Sequence, residues 1–296
     1  MSAKIAEEVA IVGAGAMGRQ IALQCALHGV DVTLNDDDAE ALEDARVFAD
    51  RYLAGRVAKG RITEEKRKDA AANLAFDADL EKAAAGRSLV IEAIIEDFAA
   101  KADVFKRLEQ ICPPSAILAT NSSNICGSRL AGVIGSPERV LNLHFFNPAL
   151  VMKLVEVVIH PGVSEAVLDS VVKFCRRIGK TPVVMRKEIP GFIVNRIFRS
   201  LTREAVRLYE DGYASAEDID LAVTAGLGHP MGPLRLLDTT GIDVSYLARL
   251  DEYEQTGDEA AKPNPILKTM YEKGEWGKKT GKGFYAYLDS AKKKKT

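Results

Sequence analysis

Short apolar runs alternate with segments of helical periodicity over the first 187 residues of the chain. The runs have the length of buried strands, and the longer segments carry apolar residues at helical intervals. Strands are predicted at 9–12, 30–34, 89–96, 116–119, 140–144, 154–158 and 181–185. Strands that alternate with helices form a mostly parallel sheet with helices on both faces. We therefore predict a doubly wound α/β domain over residues 1–187, with a helical arm near 38–70.

The pattern changes after residue 187, where strand-like runs no longer occur. Helices are predicted at 192–210, from an N-cap at Ser215 onward, and at 234–253. Residues 188–296 are therefore predicted to form an all-α domain of three or four helices. The last residues, 290–296, include a basic run and are predicted to be a disordered tail.

Two of the apolar runs, 140–144 and 154–158, each carry one ionisable residue where burial is expected: His144 and Glu156. A buried ionisable group is costly unless it is paired. If a turn makes the two runs antiparallel neighbours, their side chains come together. A carboxylate beside an imidazole fixes its tautomer, as a general base requires. A purely structural hydrogen bond in the core explains the pair equally well, so both interpretations stand at this point.

A glycine motif, Gly13-Ala-Gly-Ala-Met-Gly18, directly follows the first predicted strand and opens a helix. This order is the GxGxxG fingerprint of the Rossmann fold, in which Gly13 permits the tight turn and Gly15 lets the backbone approach a pyrophosphate. Gly18 allows the helix to pack closely on the strand. Asp36 ends the next strand, where a carboxylate accepts hydrogen bonds from the adenosine ribose and repels the 2′-phosphate of NADP. The motif therefore predicts NAD as the cofactor. Arg19 lies beside the phosphate site, either as a phosphate contact or as a solvated side chain, and the second interpretation is favoured.

Polar residues follow two more of the predicted strands at their carboxyl ends, where doubly wound sheets bind ligands. Ala93 and Glu96 end the apolar run that begins at residue 89, so both are candidates to border the cofactor. The cluster Asn121-Ser-Ser-Asn124 follows the next strand. By composition, this cluster fits a turn better than a set of ligand donors.

Composition narrows the class of protein. The formal net charge is −2, so neither nucleic acid nor an anionic membrane is predicted as a partner. The four cysteines lack zinc-type spacing and are interpreted as core residues in a reducing compartment. No apolar run approaches the roughly 20 residues of a membrane span, and the first strand lies too near Met1 to leave room for a signal peptide. These features predict a cytoplasmic enzyme.

Together, these motifs resemble the L-3-hydroxyacyl-CoA dehydrogenase family, in particular its short 3-hydroxybutyryl-CoA dehydrogenase type. The resemblance covers nearly the whole chain and rests on these segments: Gly13–Gly18, Glu92-Ala-Ile-Ile-Glu96, Asn121-Ser-Ser123, His144-Phe-Phe-Asn-Pro148, Val151-Met-Lys-Leu-Val-Glu156, Pro190-Gly-Phe-Ile-Val-Asn-Arg196, Pro230-Met-Gly-Pro233, Leu236-Leu-Asp238 and Gly277-Lys-Lys-Thr-Gly-Lys-Gly-Phe-Tyr285. It implies reversible, NAD-dependent oxidation of an L-3-hydroxyacyl-CoA thioester to the 3-ketoacyl-CoA. It also implies a homodimer joined through the all-α domain, which would carry the substrate cleft.

The resemblance also assigns roles to individual residues. His144 would take the proton of the substrate hydroxyl, and Glu156 would orient it. Ser123 and Asn195 would complete the catalytic set and contact the substrate, and Lys59 on the arm would touch the coenzyme A end. The residues that would hold the cofactor are Gly13, Gly15, Ala16, Met17, Gly18, Asp36, Ala93, Glu96, Lys101 and Asn147. No metal is implied.

Several positions depart from the family pattern and leave the acyl group and its carrier open. These positions are Tyr52, Asn124, Cys126, Ala149 and Leu150. One alternative is therefore a dehydrogenase of a related free 3-hydroxy acid or of a carrier-protein thioester. Another is a non-catalytic, crystallin-like protein that binds the cofactor. The second alternative predicts that the catalytic set is lost, whereas all four of its residues are present.

Overall fold

The computed structural model describes residues 8–287. The predicted tail at 290–296 lies outside these residues. The chain divides into two compact units after Ile193. The first unit holds the strands β1 Glu8–Val12, β2 Asp31–Asn35, β3 Leu74–Asp77, β4 Leu89–Glu92, β5 Ile117–Thr120, β6 Val140–Phe145, β7 Leu154–Val158 and β8 Thr181–Met185.

These eight strands form one sheet in the order β3-β2-β1-β4-β5-β6-β7-β8. All neighbours run parallel except β6 and β7, which pair antiparallel. The order reverses between β1 and β4, which is the switch point where doubly wound sheets bind ligands. The predicted α/β fold is confirmed. Strand β3 was not predicted: it lies at the edge of the sheet and is only partly buried, so it lacks the fully buried apolar run that marks the central strands.

The helices of the first unit are α1 Gly18–Leu27, α2 Ala39–Ala58, α3 Glu64–Ala72, α4 Leu80–Ala84, α5 Phe98–Ile111, α6 Gly127–Ala131 and α7 Glu165–Arg177. A short 3₁₀ helix spans Pro137–Arg139. Alternate residues of β1 belong to two different apolar clusters. Val9 and Ile11 belong to one cluster, and Ala10 and Val12 belong to the other. The sheet is therefore covered on both faces, as strands buried on both sides require.

One predicted boundary in the first unit is wrong. The run predicted as a strand over 89–96 leaves the sheet after Glu92, where the chain continues through bends. The helical arm near 38–70 consists of two helices, α2 and α3, which are separated by a turn that includes Gly60. Gly60 has a φ of +61°, a conformation that glycine adopts without strain.

The second unit holds the helices α8 Val194–Glu210, α9 Ala216–Leu227, α10 Pro233–Thr240, α11 Ile242–Thr256 and α12 Pro265–Glu272. A 3₁₀ turn follows at Lys278–Thr280. The prediction of three or four helices is wrong, since five are present among the described residues. The single helix predicted at 234–253 is broken at Gly241, whose φ of +105° lies outside helical geometry. Within residues 8–287, no helix is long and apolar enough to cross a membrane.

Candidate active site

The glycine loop between β1 and α1 is closed by contacts that exclude side chains at two positions. A Cβ atom on Gly13 would lie 2.7 Å from the carbonyl oxygen of Ala93, and Gly13 has a φ of +105°. A Cβ atom on Gly18 would lie 1.7 Å from the carbonyl oxygen of Gly13. At Gly15, by contrast, a Cβ atom would meet nothing within 4 Å. The loop is therefore tight against the sheet at Gly13 and Gly18 and open at Gly15.

Asp36 lies directly beside this loop. One carboxylate oxygen accepts a hydrogen bond from the Ala14 N–H at 2.6 Å, and the other accepts one from the Asp38 N–H at 3.0 Å. The end of β2 is thus connected to the glycine loop, and a negative charge sits at its edge. Arg19 is not solvated as predicted: its guanidinium stacks over the ring of Phe48 at 4.6 Å, which leaves it half-buried.

Gln20 joins the glycine loop to the turn after β6. Its side-chain amide donates to the carbonyl oxygen of Ala16 at 2.7 Å and to the Asn147 side-chain oxygen at 3.3 Å. Ala16 and Asn147 are both exposed, and Met17 is the half-buried N-cap residue of α1. Gln20 is 7% exposed and was not singled out from the sequence. It connects predicted cofactor residues that are 131 positions apart in the chain.

His144 and Glu156 form the pair that the two apolar strand runs predicted. They occupy opposite positions in the antiparallel β6–β7 register. The His144 Nδ1 atom lies 2.8 Å from a carboxylate oxygen of Glu156. His144 is 6% exposed and Glu156 is fully buried. Since a carboxylate accepts hydrogen bonds, Nδ1 is the donor in this pair, and in a neutral imidazole Nε2 is then the acceptor.

The second carboxylate oxygen of Glu156 accepts a hydrogen bond from the Ile193 N–H at 3.0 Å. The preceding residue, Phe192, has a φ of +48°, which is strained for an aromatic residue. The Phe192 ring lies 5.4 Å from the His144 ring, and the Phe146 ring lies 4.5 Å from it. The imidazole is therefore held by a carboxylate on one side and by aromatic rings on others, so its orientation is well defined.

The loop that carries Ser123 is connected to the strand that carries His144. The Asn121 side-chain oxygen accepts from the N–H of Phe145, the residue after His144, at 2.9 Å. The fully buried side chain of Asn142 donates to the carbonyl oxygens of Ser122 and Ile125 at 3.3 and 2.9 Å. These contacts position Ser123 near the carboxyl end of β6. Composition favoured a simple turn at 121–124. The hydrogen bonds of the Asn121 and Asn142 side chains show that this loop is also tied to β6.

Glu96 organises the same loop from the opposite side. One of its carboxylate oxygens accepts from the Ser122 hydroxyl at 2.5 Å and from the backbone N–H groups of Ser123 and Asn124 at 3.2 and 3.1 Å. Its side chain is 41% exposed. Glu96 was predicted to border the cofactor, and the structure shows it holding the Ser123 loop.

Lys101, which was predicted to hold the cofactor, has a buried ammonium group, which is unusual for a lysine. Its Nζ lies 2.6 Å from Glu92 and 3.4 Å from Glu96, and the side chains of Lys101 and Glu92 are 1% and 0% exposed. Glu92 also accepts from the Thr120 hydroxyl at 2.7 Å and from the Ile94 N–H at 2.7 Å. The sequence offered one signal for Glu92, an acid in the middle of the apolar run that begins at residue 89.

Two of the remaining predicted residues lie on helices, Lys59 at the end of α2 and Asn195 at the start of α8. Lys59 is the exposed C-cap residue of α2, and its side chain makes no ion pair with the described residues. Asn195 is the second residue of α8 and belongs to the second unit. Leu150 and Tyr52, which depart from the family pattern, are half-buried and pack against the apolar cluster of α1 and the arm helices. These two departures from the family pattern therefore lie where the arm helices pack on α1.

The residues of the glycine loop fit a dinucleotide. Gly15 leaves room for close backbone approach, and α1 begins at the loop with no acid in its first turn, so its amide groups favour an anion. Asp36 supplies an acceptor at the loop's edge. Among residues 8–287, no cluster of histidine, cysteine and acidic side chains has the makeup of a metal site.

Two family models match the chain in adjoining parts. The "3-hydroxyacyl-CoA dehydrogenase, NAD binding domain" matches residues 8–189, and the "3-hydroxyacyl-CoA dehydrogenase, C-terminal domain" matches residues 191–287. A 3-hydroxybutyryl-CoA dehydrogenase of Mycobacterium tuberculosis (strain ATCC 25618 / H37Rv) is 39% identical over 282 residues, 95% of this chain and 98% of the relative. The mitochondrial hydroxyacyl-coenzyme A dehydrogenase of Homo sapiens is 37% identical over 96% of this chain and 92% of its own length. The crystal structure of (S)-3-hydroxybutyryl-CoA dehydrogenase PaaH1 from Ralstonia eutropha matches with a TM-score of 0.89 at 32% identity, over 96% of this chain and 100% of that chain.

Proposed function

Because the chain belongs to the 3-hydroxyacyl-CoA dehydrogenase family and its first unit is a NAD-binding domain, we propose that it reversibly oxidises an L-3-hydroxyacyl-CoA to the 3-ketoacyl-CoA. The observation that carries this proposal is the buried His144–Glu156 pair at 2.8 Å. Relatives named 3-hydroxybutyryl-CoA dehydrogenase, which align over 95% of the chain, support a short acyl group.

His144 acts as the general base in this proposal. Its Nδ1 proton is engaged by Glu156, so Nε2 takes the proton of the substrate hydroxyl. Glu156 then stabilises the imidazolium that forms, and it keeps the ring in the orientation needed for the reverse reaction. When bound, NAD supplies the hydride acceptor. In the direction of reduction, protonated His144 polarises the 3-keto group and returns the proton to oxygen.

Ser123 and Asn195 are proposed to hydrogen-bond the reacting substrate. Support for Ser123 comes from its loop, whose backbone is fixed by Glu96, Asn121 and Asn142. Lys101 is proposed to act through Glu96, because its buried ammonium neutralises the carboxylate that holds the loop. Lys59 is proposed to meet the coenzyme A end, and its exposed ammonium group leaves it available for a phosphate.

We also propose that the protein is a homodimer joined through the second unit. Exposed apolar side chains on its helices support this, among them Ile197, Leu221 and Leu227, which are 62%, 62% and 66% exposed. Exposed apolar side chains are often covered in protein–protein contacts. Analytical ultracentrifugation at several protein concentrations tests it. A cytoplasmic location is likewise proposed.

The proposed function is tested by NADH oxidation with acetoacetyl-CoA, with NADPH and with free acetoacetate measured in parallel. We expect rapid turnover only with NADH and the CoA ester, since Asp36 disfavours a 2′-phosphate. Comparable turnover with free acetoacetate would point to a hydroxy acid as the substrate. Tight NADH binding with no turnover on any 3-ketoacyl thioester would contradict the proposal.

A further inference from the structure

A cationic cavity of about 120 Å³ lies within the second unit, formed by α8, α11 and the turn that follows α11. Three arginines of α8 line it: Arg196, Arg199 and Arg203. They are three and four residues apart, so they share one face of the helix. Arg249 of α11 also lines the cavity. None of these arginines has a role in the proposed reaction.

Arg249 is the most informative member of this group, because its side chain is only 2% exposed. One terminal nitrogen donates to the carbonyl oxygen of Arg199 at 3.0 Å and to the Thr202 hydroxyl at 2.6 Å. Its Nε–H, however, is buried and has no hydrogen-bond partner among the described residues. A buried, unsatisfied donor on a charged group is costly, so the protein alone compensates the charge of Arg249 incompletely.

Arg249 is also surrounded by other positive charges. Burial, together with the charges of Arg199 and Arg203, lowers the pKa of the Arg249 guanidinium to about 10. The group therefore stays charged at neutral pH, although it is buried beside like charges. A nearby anion relieves such repulsion.

The acidic residues of the cavity only partly balance its arginines. Glu252 forms an ion pair with Arg199. A carboxylate oxygen of Asp258 accepts from the Ala260 N–H at 2.9 Å, which fixes the turn after α11. Arg203 donates to the Ala260 carbonyl oxygen at 2.9 Å. Arg196 makes no hydrogen bond or ion pair to the described residues. Four guanidinium groups thus face two carboxylates, and a net positive charge remains.

We propose that this cavity binds a phosphate group. Guanidinium groups recognise phosphate through charge-assisted hydrogen bonds, which the exposed, unpaired group of Arg196 can supply, while the buried guanidinium of Arg249 adds its positive charge. The cavity volume suits a single tetrahedral oxyanion rather than a whole nucleotide. Two sources share this chemistry: free inorganic phosphate, and the terminal phosphomonoester of a larger ligand such as coenzyme A.

The test is isothermal titration calorimetry of the full-length protein in a phosphate-free buffer of low ionic strength near neutral pH. Inorganic phosphate, coenzyme A and dephospho-CoA are the ligands. Arg196→Gln and Arg203→Gln are the test variants, since Arg249→Gln would put the fold at risk. Arg207→Gln is the matched control, because Arg207 lies one turn beyond Arg203 on α8, is exposed, and pairs with Glu204 and Asp211.

We expect saturable binding that each test variant weakens by about tenfold, the loss of one charge-assisted hydrogen bond. The control should change binding by less than about twofold, as for an exposed ion pair. If the source is free phosphate, inorganic phosphate shows this pattern. If it is a phosphomonoester, coenzyme A shows it and dephospho-CoA does not. Absence of saturable phosphate binding, with coenzyme A affinity equal in wild type and both test variants, would overturn the proposal.

Discussion

Replacing Glu156 with glutamine removes one charge from the proposed catalytic pair while keeping its shape. In the native protein, one carboxylate oxygen receives the His144 Nδ1 proton at 2.8 Å and the other receives the Ile193 N–H at 3.0 Å. A carboxamide has only one oxygen, and its nitrogen is a donor. If the oxygen keeps Ile193, the amide nitrogen faces Nδ1 and favours the tautomer that carries its proton on Nε2. That tautomer cannot accept a proton from the substrate.

The magnitude follows from the hydrogen bond that is lost. A hydrogen bond to a charged group contributes about 1.5–3 kcal/mol, which corresponds to a roughly 10- to 150-fold lower kcat at 1.36 kcal/mol per decade. The wrong tautomer adds to this loss, since general-base catalysis contributes about 10²- to 10⁴-fold. We therefore expect kcat to fall by about 10² or more. The affinity for NADH should change little, because Glu156 lies on β7 and the glycine loop follows β1.

The assay is the initial rate of NADH consumption with acetoacetyl-CoA, together with NADH affinity from calorimetry. Glu165→Gln is the matched control, because it also exchanges a carboxylate for an amide but only breaks a surface ion pair with Arg186. A kcat for Glu156→Gln within about threefold of the control would refute the reasoning, since it lies below the effect of one charged hydrogen bond. Equal losses of NADH affinity and kcat would instead show that the pair is structural.

Three further predictions concern the cofactor, the fold and the thiols. Asp36→Asn removes the negative charge beside the glycine loop. The KM for NADPH should therefore fall about tenfold and come closer to the KM for NADH. An unchanged ratio of the two KM values would contradict this. Gly277→Ala places a Cβ 2.3 Å from the Asp238 carbonyl oxygen, whereas Gly212→Ala meets nothing within 4 Å at a similarly positive φ. Chemical denaturation should show Gly277→Ala to be less stable than Gly212→Ala by about 2 kcal/mol, and equal stabilities would contradict it. Burial raises the pKa of Cys25 and of Cys175 to about 12, so only roughly a 10⁻⁴ fraction of each thiol is the reactive thiolate at pH 8. A disulfide reagent should therefore modify neither cysteine until the protein is denatured. Rapid modification of either cysteine in the native protein would contradict this.

The family and the cofactor were predictable because their signals are local. The glycine motif lies within six residues of the chain and directly follows a strand, so its geometry could be predicted without distant contacts. The predictions of the family and of NAD are confirmed by the family models over residues 8–189 and 191–287. The His144–Glu156 contact was predictable across 12 positions because each is a lone ionisable residue in an apolar strand.

The contacts that hold the site residues in place were not predictable from the sequence. Glu96 reaches N–H groups 27 and 28 positions away, and the Lys101 ammonium is buried against Glu92, which no periodicity indicates. Tertiary contacts of this kind depend on the order of strands in the sheet rather than on local pattern. The break at Gly241 was missed for a related reason, since a glycine within a helical pattern ends the helix only where the backbone must turn.

The central claim is that His144 takes the substrate proton while the glycine loop holds the cofactor independently of it. The most direct test measures kcat with acetoacetyl-CoA and NADH affinity on the same preparation of His144→Gln and of wild type. The account predicts that turnover falls by about 10² to 10⁴ and that NADH affinity stays within about twofold, because the His144 ring is held by Glu156, Phe146 and Phe192 whereas the glycine loop is held by Asp36. Turnover close to wild type, or loss of NADH affinity in parallel with turnover, would contradict it.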